Sequence, residues 1–389
     1  MTTCSVPFAH TAGPHDARCI MIGEAWGEQE DQYGVPFAGA SGREFARMLI
    51  ESGWDIDDLL AHAVAQLSTH DFLAAREEWL QRASVLLTNV FALRPTNNNL
   101  AYLCTARSDL PTSYALPPIR SENPRYVKED YLPHLQRLRT EVEHGPRNLA
   151  LALGGTACWS LVGSHAIGRL RGAVSTARGG PSALTGIKVL PTYHPAAIFR
   201  AWQWRVIVLA DLIKAKRETA FAEVRRPARS VIVNPSIEDV EAWTDATMLR
   251  AENEHAFLAP DIETMNGQIR CIGFARSRSE ALVIPFIKDL RGTSYWEDED
   301  HELRAWECVR ALLASDIPKI FQNGVFDLQY LIRAGLRVAH AQHDTMLLHH
   351  ALYPELQKGL GFLGSVYTNE PAWKTMRLHK GEEELKRDE

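Results

Sequence analysis

Residues 19–52 constrain the fold more than any other stretch. The apolar run Cys19-Ile20-Met21-Ile22 is long enough for one buried strand and is ended at once by glycine. The next twenty residues, GEAWGEQEDQYGVPFAGASG (23–42), carry five glycines, four carboxylates (Glu24, Glu28, Glu30, Asp31) and the aromatic Phe37. The spacing then turns helical, with Phe45, Met48 and Leu49 on one face of Arg43–Ser52. A strand that feeds a Gly-rich loop and then a helix is how an α/β sheet builds a pocket beyond the carboxyl ends of its strands.

The same alternation continues. Trp54–Ala83 is polar and helix-prone, Ser84–Val90 reads as a buried strand carrying Asn89 at its end, and Arg107–Asn123 is a long loop rich in Pro and Ser. Tyr126–His144 has helical periodicity, Asn148–Leu153 is a strand and Ala157–Val162 a helix. Lys188–Thr192 is a strand that runs into Tyr193-His194-Pro195, and a helix with Trp202, Val206, Leu209 and Ile213 follows. Arg217–Arg229, charged and interrupted by Pro227, reads as a linker. A second alternation follows it: Val231–Val233, a helix over Ile237–Leu249, Ala256–Pro260 leading into Asp261-Ile262-Glu263, and two strands, Ile269–Arg276 and Ala281–Pro285. Then come a helix over His301–Ala314, a strand over Lys319–Gln322 and a helix over Phe326–Ala334, before the charged tail Lys380–Glu389. The expected class is α/β: a three-layer α/β/α domain with a parallel sheet over 1–222, a linker over 223–230, and a second α/β domain with a mixed sheet over 231–389. With 389 residues and 46% apolar content the chain has material for such cores.

A net charge of −6 gives no global basic field, so any nucleic-acid contact has to come from a local groove. The six cysteines (4, 19, 104, 158, 271, 308) form no CxxC, and read as reduced thiols of a cytoplasmic protein rather than a disulfide frame or zinc site. No apolar run reaches transmembrane length, and the N-terminus shows no signal-peptide pattern, so no membrane partner is expected.

Three strand-end loops combine into one chemistry. They supply an aromatic plate (Phe37), an amide (Asn89), a donor or cation (His194) and an acidic loop (Glu24). Stacking plus hydrogen bonds to a Watson–Crick edge is what a pocket for an everted base requires. Four stretches, GEAWGEQEDQYGVPFAGASG, LTNVFALRP, LALGGTAC and LPTYHPAAIFR, within about residues 18–215, make the chain resemble the uracil-DNA glycosylase superfamily, in particular its bacterial and archaeal family 4 type. The resemblance implies that Phe37 stacks on uracil, Asn89 reads its polar edge, Glu24 lies beside the base and His194 stabilises negative charge on uracil O2. It also implies substrate contacts from Ala25, Glu28 and Arg200, with Ala196–Arg200 pressing into the minor groove. Trp26 stands where that family usually has Pro. The family's iron–sulfur cysteines are missing, Ala92-Leu93-Arg94-Pro95 replacing a KCRP-like stretch, so no cluster is expected. Arg169, Arg171, Arg178, Lys188, Arg200 and Arg205 fall near His194, as a phosphate-gripping strip or an ordinary solvated face.

In the second half, Asp261-Ile262-Glu263 places two carboxylates on one face of a strand. Asn323-Gly324-Val325-Phe326-Asp327 brings a third to a strand-to-helix turn. Clustered carboxylates favour hard divalent cations such as Mg or Mn, and two such ions suit phosphodiester hydrolysis. This region resembles the 3′–5′ proofreading exonucleases attached to phage-type family A DNA polymerases, which implies a ribonuclease H-like fold. The likeness covers about residues 229–389. It implies that Asp261, Glu263 and Asp327 bind metal, with Asn323, Phe326 and Asp344 in support. The family's third motif, YxxxD, is absent, so nuclease activity of this chain alone is expected to be weak or nil. The leading expectation is a uracil-excising DNA repair or replication enzyme whose partner is DNA, with a polymerase domain on the same parent gene or a separate chain. The alternative is a non-catalytic uracil-sensing module of a phage-type polymerase.

Overall fold

In the computed structural model, which describes residues 6–119, 123–253 and 256–370, the apolar runs become strands buried on both faces. The chain divides into two units: the first runs to Arg225 and resumes at Gly361, and the second is Arg226–Leu360.

The first unit opens with β1 (Cys19–Ala25), α1 (Glu28–Tyr33), α2 (Ala40–Glu51), α3 (Leu59–Ala65), α4 (Thr69–Ala83) and β2 (Val85–Phe91). It continues through β3 (Cys104–Thr105), β4 (Tyr126–Val127), α5 (Leu132–Glu143), β5 (Leu149–Leu153), α6 (Gly155–Val162) and α7 (Ile167–Leu170). β6 (Ser175–Thr176), β7 (Lys188–Thr192), α8 (Pro195–Ile198) and α9 (Arg205–Glu218) complete it before the linker. The sheet order is β2-β1-β5-β7-β6. β2, β1, β5 and β7 are parallel, and β6 adds a short antiparallel edge. Successive β1 side chains supply opposite cores: Met21 joins Phe45, Met48, Phe72 and Trp79 on one face, while Ile20 and Ile22 join Leu86, Leu135, Leu138 and Trp159 on the other. Burial on both faces explains why these strands read as unbroken apolar runs.

Two local expectations shift. The helix expected from Tyr126 starts at Leu132, with Pro133 in its first turn, where the missing N–H costs nothing; Tyr126 and Val127 pair instead with Thr105 and Cys104. The Gly-rich stretch also holds a short helix, α1, closed by Gly34 in the left-handed region (φ 70°).

Beneath the end of β2 lies a buried ion pair. Arg137 donates to Glu141 at 2.7 Å and to Thr88 Oγ1 at 3.1 Å, and its other nitrogen reaches the carbonyls of Asn89 and Val90. Both side chains are essentially inaccessible.

The second unit holds β8 (Ser230–Ile232), α10 (Ile237–Asn253), β9 (Ala259–Met265), β10 (Gln268–Ala275), β11 (Glu280–Pro285) and α11 (Glu299–Ala314). Then come β12 (Lys319–Phe321), α12 (Gly324–Arg333), β13 (Ala341–Asp344) and α13 (Thr345–Leu352). β9, β10 and β11 are antiparallel neighbours, and β8 joins β11 in parallel. β12 and β13 are parallel, and a bridge from Leu258 to Lys319 ties them to the start of β9. The result is a mixed sheet packed around Val240, Ile272, Phe274, Leu282 and Val309.

A last helix, α14 (Leu360–Tyr367), follows. The sequence reading keeps this stretch with the second domain, whereas its contacts lie with the first unit. Lys214 donates to the carbonyls of Ser365 (2.7 Å) and Thr368 (2.6 Å), Arg171 donates to that of Ser365 (3.1 Å), and the Arg171 guanidinium lies over Phe362. Two buried cations thus receive the unsatisfied carbonyls of a helix C-terminus. Among the described residues no helix is long and apolar enough to cross a membrane.

Arg137→Met should lower the unfolding free energy of the first unit by about 3–5 kcal/mol, because Glu141 is left charged and buried without its partner. Urea titration of the variant checks this; a loss below about 1 kcal/mol would show that water or a rearranged side chain replaces the guanidinium.

Candidate active site

The register of β1 against β2 sets Gly23 opposite Asn89. The Asn89 amide lies across Gly23 so closely that a Cβ there would sit 2.1 Å from Asn89 Oδ1 and 2.8 Å from the tip of Phe37. Glycine is required here for close approach, not for backbone freedom. Phe37 itself has φ 56°, an uncommon conformation for an aromatic residue. Arg76 fixes it, donating to the carbonyls of Pro36 at 3.2 Å and Phe37 at 2.7 Å. Glu30 closes the same loop: one carboxylate oxygen accepts from Gly27 N–H (3.1 Å) and the other from Gly39 N–H (2.9 Å).

β7 delivers the third group. His194 is the N-cap of α8, and its Nδ1 accepts the Ala196 N–H at 3.1 Å. A backbone amide can only donate, so the proton of the neutral ring is on Nε2. Burial pushes the His194 pKa below the ordinary histidine value, against the opposing pull of the Glu24 and Glu30 carboxylates. The Phe37 and His194 rings lie nearly parallel, 6.0 Å between centroids.

These groups share one cavity of about 640 Å³, whose walls include Glu24, Ala25, Phe37, Asn89, His194 and Arg200. Glu24 accepts a short hydrogen bond from Thr156 Oγ1 at the start of α6. Glu28 turns to solvent in the first turn of α1, 3.6 Å from Arg94, and is not among the residues that line the cavity. Trp26 is buried, packs edge-on against His10 and does line the cavity. Sequence reasoning missed His165, which reaches the cavity from the loop after α6 and lies close against Gly155. It also missed Arg76 and Glu30 as the braces of the loop. No local pattern marks these, because each acts on a segment distant from its own.

The basic strip dissolves on inspection. Arg171 and Lys188 are buried and paired with Asp211 and Glu218, and Arg205 is held by Glu44 and Glu51. Arg169, Arg178 and Arg200 remain at the surface.

In the second unit the exposed face of β9 carries Asp261 and Glu263, with Ile262 inward. Asp327 accepts the Ile262 N–H at 3.0 Å and is buried. Burial, with the charges of Asp261 and Asp344 in support, pushes its carboxyl up to about 6. Asp344 is occupied as a cap: it takes the N–H groups of Asn323 and Gly324 and those of Met346 and Leu347. Asn323 supplies the left-handed turn (φ 61°) before α12, and Phe326 is exposed, leaning on Tyr330. Among the described residues no group of three or more His, Cys, Asp or Glu side chains is placed to hold a metal ion. Asp261, Glu263 and Asp327 therefore share a region without forming the expected two-metal set.

A family model described as the uracil DNA glycosylase superfamily matches residues 10–225. A Type-4 uracil-DNA glycosylase of Thermotoga maritima is 28% identical over 207 residues, which cover 52% of this chain and 79% of that protein. Among solved structures, the EXD2 exonuclease domain soaked in Mn and GMP aligns at 16% identity and TM-score 0.24, over 41% of this chain and 82% of its own. Escherichia coli RNase D, an exoribonuclease, aligns at 17% identity and TM-score 0.25, over 41% and 40%.

The depressed His194 value makes a signed prediction. The unfolded chain takes up the proton first, so this residue's contribution to stability should be lost as pH falls from about 6.5 towards the folded value. Ring-nitrogen NMR should show His194 neutral at pH 6.5 with its proton on Nε2, and His194→Gln should flatten the stability slope below that pH. A midpoint above 6.5 would mean that the Glu24 and Glu30 charges outweigh burial.

Proposed function

The chain belongs to the uracil-DNA glycosylase superfamily, and on that footing we propose that its first unit excises uracil from DNA by hydrolysing the N-glycosidic bond. The observation that carries this reading is the convergence of Phe37, Asn89, Glu24 and His194 on one cavity. A base everted into it finds a ring to lie on, an amide held by Gly23 at a fixed height, and a neutral imidazole donor.

The bond between sugar C1′ and uracil N1 breaks with both electrons leaving on the base, so negative charge spreads to O2 while the sugar becomes cationic. His194 Nε2–H is the donor assigned to that oxygen. As a neutral group held by the Ala196 amide, it needs no proton uptake and little reorganisation to act. Glu24 supplies a fixed negative charge on the cavity wall, which suits the cationic sugar. Water then adds at C1′, and the proton it gives up balances the departing uracil anion, which leaves as neutral uracil.

The second unit we read as an exonuclease-like module of weak or no nuclease activity in this chain. The proofreading-type assignment, the divalent metal and a polymerase partner rest on Asp261, Glu263, Asn323 and Asp327 alone. One Asp327 oxygen is engaged by the Ile262 amide, and both Asp344 oxygens are engaged by backbone amides.

Single-stranded DNA with one uracil, incubated with the protein and then heated in alkali, should break at the uracil position. His194→Ala should slow this by about 10²–10³-fold. Binding of uracil-containing DNA without any strand break, in wild type and variant alike, would instead mean a sensor that does not release the base.

A further inference from the structure

Beside the cavity mouth is a second aromatic feature that the excision chemistry does not use. Trp202 is 62% exposed, and it lies beyond the Ala196–Arg200 loop, in the short turn Trp202–Trp204 that precedes α9. Exposure of so large a ring usually goes with mobility, yet this one is backed. The Arg205 guanidinium lies 5.2 Å from the centre of the indole. Arg205 is itself held by Glu44 at 2.8 Å and by both oxygens of Glu51. Two residues on, Trp204 stacks on Tyr193 at 4.5 Å and 14°, and both rings line the cavity next to His194. The turn is thus fixed to the wall of the candidate site, while one face of its first indole is open to solvent. Phe199, 57% exposed, and Arg200, which lines the cavity, belong to the same short segment.

We propose that Trp202, braced by Arg205, is a stacking platform for an unpaired base next to the everted nucleotide, and that it gives the protein a preference for single-stranded over duplex DNA. This rests on the excision reading for the identity of the strand. Three observations select a nucleobase as the occupant. The ring sits in the chain between Arg200 and Trp204, both of which line the cavity, so a strand with one nucleotide in the cavity has the indole close by. It is backed by Arg205, itself held by Glu44 and Glu51, which limits the side-chain freedom lost on stacking. Arg200 is at hand for the backbone phosphates. An unpaired base can swing onto the indole, whereas in a duplex the neighbouring base is held by its pairing partner and has to be unpaired first.

The test uses the full chain with matched single-stranded and duplex oligonucleotides, each carrying one uracil. Trp202→Ala should weaken binding to the single strand by about tenfold, measured by fluorescence anisotropy, and should change duplex binding by less than about twofold. Trp202→Phe should restore most of the lost affinity. Inhibition by free uracil should be unchanged, since the cavity is intact. Equal losses on both substrates, or none on either, would overturn the proposal, as would a loss in free-uracil inhibition. If the wild-type protein releases no uracil, the excision reading fails by itself; anisotropy still decides whether Trp202 holds an unpaired strand.

Discussion

The candidate site depends on one parallel pairing between β1 and β2. The pairing puts position 23 opposite position 89, and only the absence of a side chain at 23 lets an amide lie flat across the strand beneath it. Everything else is placed relative to that contact. Phe37 arrives from the loop after β1, brought close enough to touch the same spot, and His194 arrives from β7, separated from β1 by β5 alone. A one-residue slip would turn Asn89 to the opposite face of the sheet. Burial on both faces resists such a slip, because each strand of the set is packed against helices above and below.

Holding the loop between β1 and α2 in place takes charge as well as packing. Arg76, from α4, reaches the two carbonyls that bracket the unusual backbone of Phe37, and Glu30 ties both ends of the loop through its two oxygens. Burial draws the Arg76 pKa down to about 10, with Glu30 and Glu77 opposing. The geometry of the stacking ring is thus maintained by Arg76 from behind and by Glu30 in the cavity wall.

Much of this was legible in the sequence, for an identifiable reason. Apolar runs such as Leu149–Leu153 and Lys188–Thr192 report strands buried on both faces, and the residues just past or within their ends report the pocket. Phe37, Asn89, Glu24 and His194 were all readable in that way. Features that depend on partners distant in the chain were not. Glu28 and Glu30 look alike in the sequence, yet one is a solvent-facing partner of Arg94 and the other a buried brace. Arg171, Lys188 and Arg205 look like a basic strip until Asp211, Glu218, Glu44 and Glu51 are seen beside them. Likewise Asp344 reads as a carboxylate near a nuclease motif, and only the four amides around it reveal a cap.

The return of the chain to its first unit at Gly361 has a consequence for biosynthesis. Lys214 and Arg171 are made early, but the carbonyls of Ser365 and Thr368 that complete their coordination leave the ribosome only after the whole of the second unit. Until then the two cations must be satisfied by water and by Gly172 and Asp211. The nascent first unit therefore passes through a stage in which its sheet is complete and its last seam is open, and the seam closes only after the second unit has been synthesised.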